Sequence, residues 1–155
     1  MTGFSTGNGA KFTLAAWVYP TRLDAGQYQF IVYYGNPPAG ISGQTPALVI
    51  TNTAKAWSIS TWTAPNDLIG SAARLNQWTH VVGVSDGTRL TLYVNGALDA
   101  GPFTMSANAP VAVSAEIGAN PDNVLNFFPG KLDDVRVYNR ALTGDEVKRL
   151  YNLGR

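Results

Sequence analysis

The sequence predicts an all-β protein, a two-sheet antiparallel sandwich closed by one short C-terminal helix. Three observations carry that prediction. About ten short runs of β-branched and aromatic residues are separated by Gly-, Asn- and Pro-rich turns, a spacing that suits a sandwich rather than βαβ units. The composition agrees: 16 glycines, 9 prolines and 14% charged residues in a chain of 155 favour strands and turns over helices. Helical periodicity is confined to the end of the chain.

Taken in order, residues 1–10 are turn chemistry with Phe4 as the one anchor. Lys11 to Tyr19 alternates, with Phe12, Leu14, Ala16 and Val18 on one face and Thr13, Ala15, Trp17 and Tyr19 on the other. Both faces carry apolar groups, so this is a central strand covered on both sides. Pro20 stops it, having no N–H to give a ladder. Tyr28 to Tyr34 is a second strand, and Gly35 to about Gln44 is a loop. Pro46 to Thr51 and Lys55 to Thr63 pair around Asn52-Thr53, with Trp57 and Trp62 on opposite faces. Ala64 to Asp67 is a turn.

Asn76 to Val84, Arg89 to Val94 and a return from Ala97 to Ala100 form a meander. Its turns are Asp86-Gly87 and Asn95-Gly96; the second fits a type I′ turn, which needs positive φ at both central residues. Val111 to Ile117 is the next strand and Gly118 to Asn126 a loop. From Lys131 to Tyr138, Asp133, Val135 and Val137 share one face, while Leu132, Asp134, Arg136 and Tyr138 share the other. Thr143 with Glu146 three residues on is a capping box. Val147, Leu150 and Tyr151 then lie on one helical face and dock it on the body.

Residues 1–155 read as one domain, long enough to bury a substantial core. The net charge is +1 and no basic run exceeds Lys148-Arg149, which argues against nucleic acid as a partner. No apolar run approaches the roughly 20 residues of a membrane span. Cysteine is absent, so disulfides, thiolate zinc sites and cysteine nucleophiles are excluded. Met1 to Ser5 lacks the basic start and apolar core of a secretory leader. That leaves a cytosolic protein or a module of a longer secreted or cell-surface protein, and the second is expected because the chain opens almost directly on a strand.

Three segments carry a family resemblance: KFTLAAWVYP near the start, LNQWTHVVGVSDGTRLTLYVNG in the middle and GKLDDVRVYNRALTGDEVKRLY at the end. In order and spacing they resemble the laminin-G-like, concanavalin A-type jelly-roll family. The resemblance spans nearly the whole chain. It implies a jelly-roll sandwich, and a further strand before Lys11 beside the last strand, for which Thr2 to Ser5 is the only stretch. That family serves many partners.

The candidate chemistry is sparse. His80 is the only histidine, and it lies inside a strand with Trp78 and Val82 on its own face, where packing against a tryptophan is expected; the family's W-x-H-V strand fills the position this way. Catalytic members of the broader class place carboxylates two and four apart on one strand, and a retaining pair needs about 5–5.5 Å. The only glutamates are Glu116 and Glu146. Glu146 caps the helix, Glu116 has no strand partner at that spacing, and Asp133 and Asp134 are adjacent. A glycoside hydrolase is therefore the third reading.

Calcium wants hard oxygen ligands from loops and strand ends, and Asp133 with Asp134 supplies the candidate donors; Asp133 matches the acidic position of the family's G-x-I-D-x-V-R strand. The other account is that Asp133 accepts backbone N–H bonds or pairs with an arginine. Arg136 is expected to pair with a carboxylate or to cap backbone carbonyls. No cofactor is required and Ca²⁺ is an option.

Sugars present C–H faces to aromatic planes and hydroxyls to Asn and Asp. The loop residues of those types are Tyr34 and Asn36, then Trp62, Asn66 and Asp67, then Asp122 and Asn123. Trp17, Trp57 and Trp78 are expected in the core. The first reading is thus non-catalytic glycan recognition. The second is a structural or adhesion module that binds protein or self-associates through an open sheet edge.

Overall fold

The computed structural model describes residues 9–24, 26–34, 46–61, 67–105, 115–120 and 126–154. In chain order these form β1 (Lys11–Pro20), β2 (Gln29–Tyr34), β3 (Ala47–Ile50), β4 (Ala56–Ser60), β5 (Asp67–Ala72), β6 (Thr79–Asp86), β7 (Arg89–Val94), β8 (Ala97–Thr104), β9 (Ala115–Ile117), β10 (Gly130–Tyr138) and α1 (Gly144–Leu153). The strands make two antiparallel five-stranded sheets, ordered β10-β1-β6-β7-β8 and β5-β4-β3-β2-β9. This is the sandwich the periodicity predicts.

β1 is central, paired with β10 on one side and β6 on the other. Its inward residues Phe12, Leu14, Ala16 and Val18 join Val81, Leu90 and Leu92 of their own sheet. Facing them across the core are Ile31, Leu48, Ile50, Trp57 and Ile59. The sheets approach closely at Gly83 on β6: a Cβ there would lie 2.7 Å from Ile59 Cδ1 and 2.9 Å from Ile59 Cβ. One flank is closed by a polar staple, in which the Ser71 N–H of β5 donates to Asp99 Oδ2 of β8 at 2.7 Å.

The outer face of β1 is covered by the C-terminal segment. Ala15, Val82 and Val84 pack against Leu142 and Val147. The buried Thr13 hydroxyl ties this segment down, accepting from Leu142 N–H at 3.0 Å and donating to Arg140 O at 2.8 Å. The capping box forms as predicted. Glu146 N–H donates to the Thr143 hydroxyl, Thr143 N–H donates back to the Glu146 carboxylate at 2.9 Å, and Arg140 grips that carboxylate with two nitrogens.

Four expectations need correction. Asp67, expected to end a turn, instead opens an edge strand over residues 67–72; only Leu68 among them is buried, so no alternation advertised it. β8 runs on to Thr104, past Pro102, a residue tolerated on an edge. β4 is shorter than the Lys55 to Thr63 run.

The fourth correction concerns β10. Ala15 pairs with Arg136 and Trp17 with Asp133, so one residue of β1, Ala16, opposes two of β10, Asp134 and Val135. Asp134 is central to this bulge, at φ +47°, a left-handed conformation that aspartate tolerates better than most residues. The extra residue resets the alternation. Leu132 joins Val135 and Val137 at the core, and Asp133 no longer shares their face. The stretches Thr2 to Ser5, Asn36 to Gln44 and Val111 to Ser114 lie outside the described residues.

Candidate functional site

Element lengths create an uncovered surface. Ten residues of helix span about 15 Å, whereas ten residues of strand span about 33 Å. Helix α1 therefore covers only part of the outer face of its sheet, and a groove of about 700 Å³ remains at its C-terminal end. Trp17, Trp78, Asp133, Asp134, Leu153 and Gly154 line it.

Trp78 precedes β6 and is 41% exposed, contrary to its expected place in the core. It shares parity with His80 and Val82, but the helix covers those two and stops short of the tryptophan. The Tyr19 ring lies 5.4 Å from Trp78, and Lys131 Nζ sits 5.5 Å from the Tyr19 ring centroid, within cation–π range. Trp17, also expected in the core, is half-buried on this outer face. It stacks on Tyr151 of the helix with centroids 5.6 Å apart and planes 26° apart. Gly154 rests against the Trp17 indole, where a Cβ would come within 2.2 Å of Nε1. Of the three tryptophans expected in the core, only Trp57 is buried there.

The carboxylates come from the bulge. Asp134 is held by both edges of the Arg136 guanidinium, Nε to Oδ1 at 2.8 Å and Nη2 to Oδ2 at 2.9 Å. Asp133 Oδ1 accepts the Asp134 N–H at 2.7 Å, and Asp133 is exposed. Both belong to the groove wall. Among the described residues no three His, Cys, Asp or Glu side chains gather as a metal-binding group.

His80 packs beneath the groove, 5.3 Å from Trp17 and 6.1 Å from Tyr151. Its packing partner is Trp17 rather than Trp78, and it is 2% exposed. Its backbone N–H donates to Asn95 Oδ1 at 3.0 Å, while the ring Nδ1 has no hydrogen-bond partner. Burial lowers its pKa to about 4; the Asp134 charge opposes that shift and the Arg136 charge adds to it.

The loop candidates distribute differently. Tyr34 ends β2, its backbone paired with Ala115. Asn36, Trp62, Asn66, Asp122 and Asn123 lie outside the described residues. Asp67 starts β5, exposed, and accepts from the Ser60 hydroxyl. The structure does not bring Asp67 to the groove. It lies in one cross-strand row, Asp67–Ser60–Ala47–Tyr33–Glu116. Four strand spacings separate the two carboxylate-bearing residues of that row, about 19 Å of backbone, far beyond the roughly 5–9.5 Å of glycosidase pairs. Glu146 is engaged with Arg140 and the helix cap.

Known proteins share this fold. The family model described as the concanavalin A-like lectin/glucanases superfamily, of laminin-G type, matches residues 2–148. An adhesion G-protein coupled receptor V1 from Danio rerio is 30% identical over 157 residues; the match covers 92% of this chain but 2% of that protein. Among solved structures, the CBM40 of the Ruminococcus gnavus IT-sialidase, bound to α2,3-sialyllactose, superposes with a TM-score of 0.75 at 20% identity, covering 92% of this chain and 82% of that one. Domain 4 of an extracellular arabinanase from Geobacillus stearothermophilus, in complex with arabinotriose, gives 0.68 at 21% identity, covering 95% and 68%. A Trypanosoma rangeli sialidase also gives 0.68 at 20%, with 22% of its chain covered. At these identities the structural likeness establishes the shared fold.

Proposed function

The chain belongs to the concanavalin A-like lectin/glucanase superfamily, and from that premise we propose that it is a non-catalytic module recognising a glycan in the groove beside Trp78. The observation that carries the reading is the combination at that groove. A tryptophan indole stands 41% exposed next to Tyr19 and opposite two carboxylates. An indole offers a flat apolar platform for the C–H face of a sugar, and carboxylate oxygens accept from its hydroxyls. Asp134 is held ready by Arg136, so its oxygens are fixed before a ligand arrives. Such preorganisation lowers the ordering cost of binding.

Two structural neighbours were solved with oligosaccharides, arabinotriose in one and α2,3-sialyllactose in the other, which supports the ligand class. The arabinanase neighbour is extracellular and the zebrafish relative is an adhesion receptor; both support a place outside the cell or at its surface. Asp134 is engaged by Arg136, so we assign the pair to sugar hydroxyls and expect no requirement for calcium. An open groove suggests an affinity on the order of micromolar to millimolar, with tandem copies supplying avidity.

Titration against a panel of neutral and acidic oligosaccharides, with EDTA and with Ca²⁺, tests this. The wild type is expected to bind at least one member in both conditions. Trp78→Ala is expected to weaken it roughly tenfold or more while moving the melting temperature little. Undiminished binding by Trp78→Ala would place the site elsewhere. A blank panel would turn the reading to a protein-binding adhesion module, for which Ile117 at the end of β9 and Phe127, both exposed, are the candidate surface.

A further inference from the structure

A second cavity lies around the corner from Trp78. It measures about 310 Å³ and opens where the chain crosses from β5 in one sheet to β6 in the other. Its lining includes Trp57, Ser71, Arg74, Gln77, Thr79 and Asn95. Gln77 lines this cavity and its chain neighbour Trp78 lines the groove, so the two spaces meet at one corner of the sandwich.

The chemistry of the lining is one-sided. Arg74 brings a cation and up to five N–H donors, Gln77 brings a carboxamide, and Ser71 and Thr79 bring hydroxyls. Asn95 Oδ1 is already used by the His80 N–H, which leaves the Asn95 NH₂ as its free function. Asn95 is fixed by its turn, with φ +51° and its own N–H bonded to His80 O at 2.8 Å. No Asp or Glu lines the space. Asp99 contacts the lining residue Ser71, its Oδ2 taking the Ser71 backbone N–H. Arg74 has no ion-pair partner among the described residues. A small cavity with one cation, amide and hydroxyl donors, and no carboxylate in its wall is built for an oxyanion. The volume is at the lower end of the roughly 300–1,000 Å³ typical of ligand pockets.

We propose that this pocket binds the carboxylate of an acidic sugar residue whose neighbour in the same glycan stacks on Trp78. The inference rests on the glycan reading above and deepens it: the groove, walled by Asp133 and Asp134, takes the neutral ring, and the Arg74 pocket takes the charged one. The order is dictated by charge, since a carboxylated sugar placed in the groove would face two carboxylates. Arg74 also suits the task by geometry, because a guanidinium can meet a carboxylate with two parallel hydrogen bonds.

The experiment compares wild type, Arg74→Ala and Trp78→Ala against 3′-sialyllactose, a uronate-terminated oligosaccharide, 3′-sulfolactose and lactose, at low and at high salt. Arg74 is exposed, so its truncation leaves the core intact. Wild type is expected to prefer at least one carboxylated ligand over lactose by roughly tenfold, with the preference shrinking at high salt. Arg74→Ala is expected to lose that preference while holding its lactose affinity within about twofold. Equal preference in Arg74→Ala and wild type, or a wild type favouring lactose, overturns the proposal while leaving the Trp78 platform standing. A preference for the sulfated ligand alone overturns the carboxylate assignment. Failure of every ligand to bind the wild type overturns both readings together.

Discussion

Two aromatic rings, Trp17 and Tyr151, hold the His80 imidazole on the outer face of the helix-bearing sheet, and its Nδ1 meets no hydrogen-bond partner there. Such a histidine folds neutral. Its pKa is lowered from 6.5 to about 4 by burial, with Asp134 opposing and Arg136 assisting. As pH falls from about 6.5 towards 4, the unfolded chain takes up a proton at this residue that the folded one refuses, so stability falls with pH across that window. Below about 4 the contribution levels off. The slope is at most about 1.4 kcal/mol per pH unit and the whole effect on the order of 3 kcal/mol. Urea midpoints measured from pH 7 to 5 should show the decline; a flat profile there would contradict it. Among single residues, the sequence anticipated that His80 would pack on a tryptophan but named the wrong one. Parity alone cannot distinguish Trp78 from His80. What separates them is where the helix ends, a comparison of element lengths rather than of neighbouring residues.

The helix is a clasp whose strength sits at its first turn. Glu146 is held down to about pKa 2, first by Arg140 and then by the Thr143 N–H, so the capping box stays ionised throughout the window in which His80 titrates. The stability contributed by this cap is lost progressively as pH falls from about 4.5 towards 2, below most of the His80 window, so the two effects can be read separately. Thr143→Ala removes the hydroxyl that accepts from Glu146 N–H and should cost about 1 kcal/mol; an unchanged denaturation midpoint would show that the clasp does not depend on its cap. This element was fully legible, because T-x-x-E before an apolar stripe has a local mechanism. β5 was not, since Leu68 is its single buried side chain and its place is fixed by the β4 ladder and the Asp99 staple. The β10 bulge was hidden for a related reason. Alternation assumes one residue per step, and only the pairing with β1 reveals the extra one.

At the scale of the whole molecule, the spacing between sheets is set where Gly83 faces Ile59. Gly83→Ala would place a methyl carbon against Ile59 inside a close-packed interior, an overpacking expected to cost roughly 1–3 kcal/mol. Thermal or urea unfolding of that variant checks it, and wild-type stability would mean that the sheets have room to part. The sandwich as a class was legible because strand periodicity and turn chemistry report burial directly. The groove was not, because it assembles residues from β1, β10, the approach to β6 and the helix end that only pairing brings together. One practical consequence lies in its far wall. Leu153, 75% exposed, and Gly154 stand at the lip of the groove. Any purification handle, fluorophore or surface linker attached after them is delivered to the mouth of the proposed binding surface, where it can mask a weak sugar or imitate one. Immobilisation through the opposite end of the chain is the orientation in which a blank result would be informative.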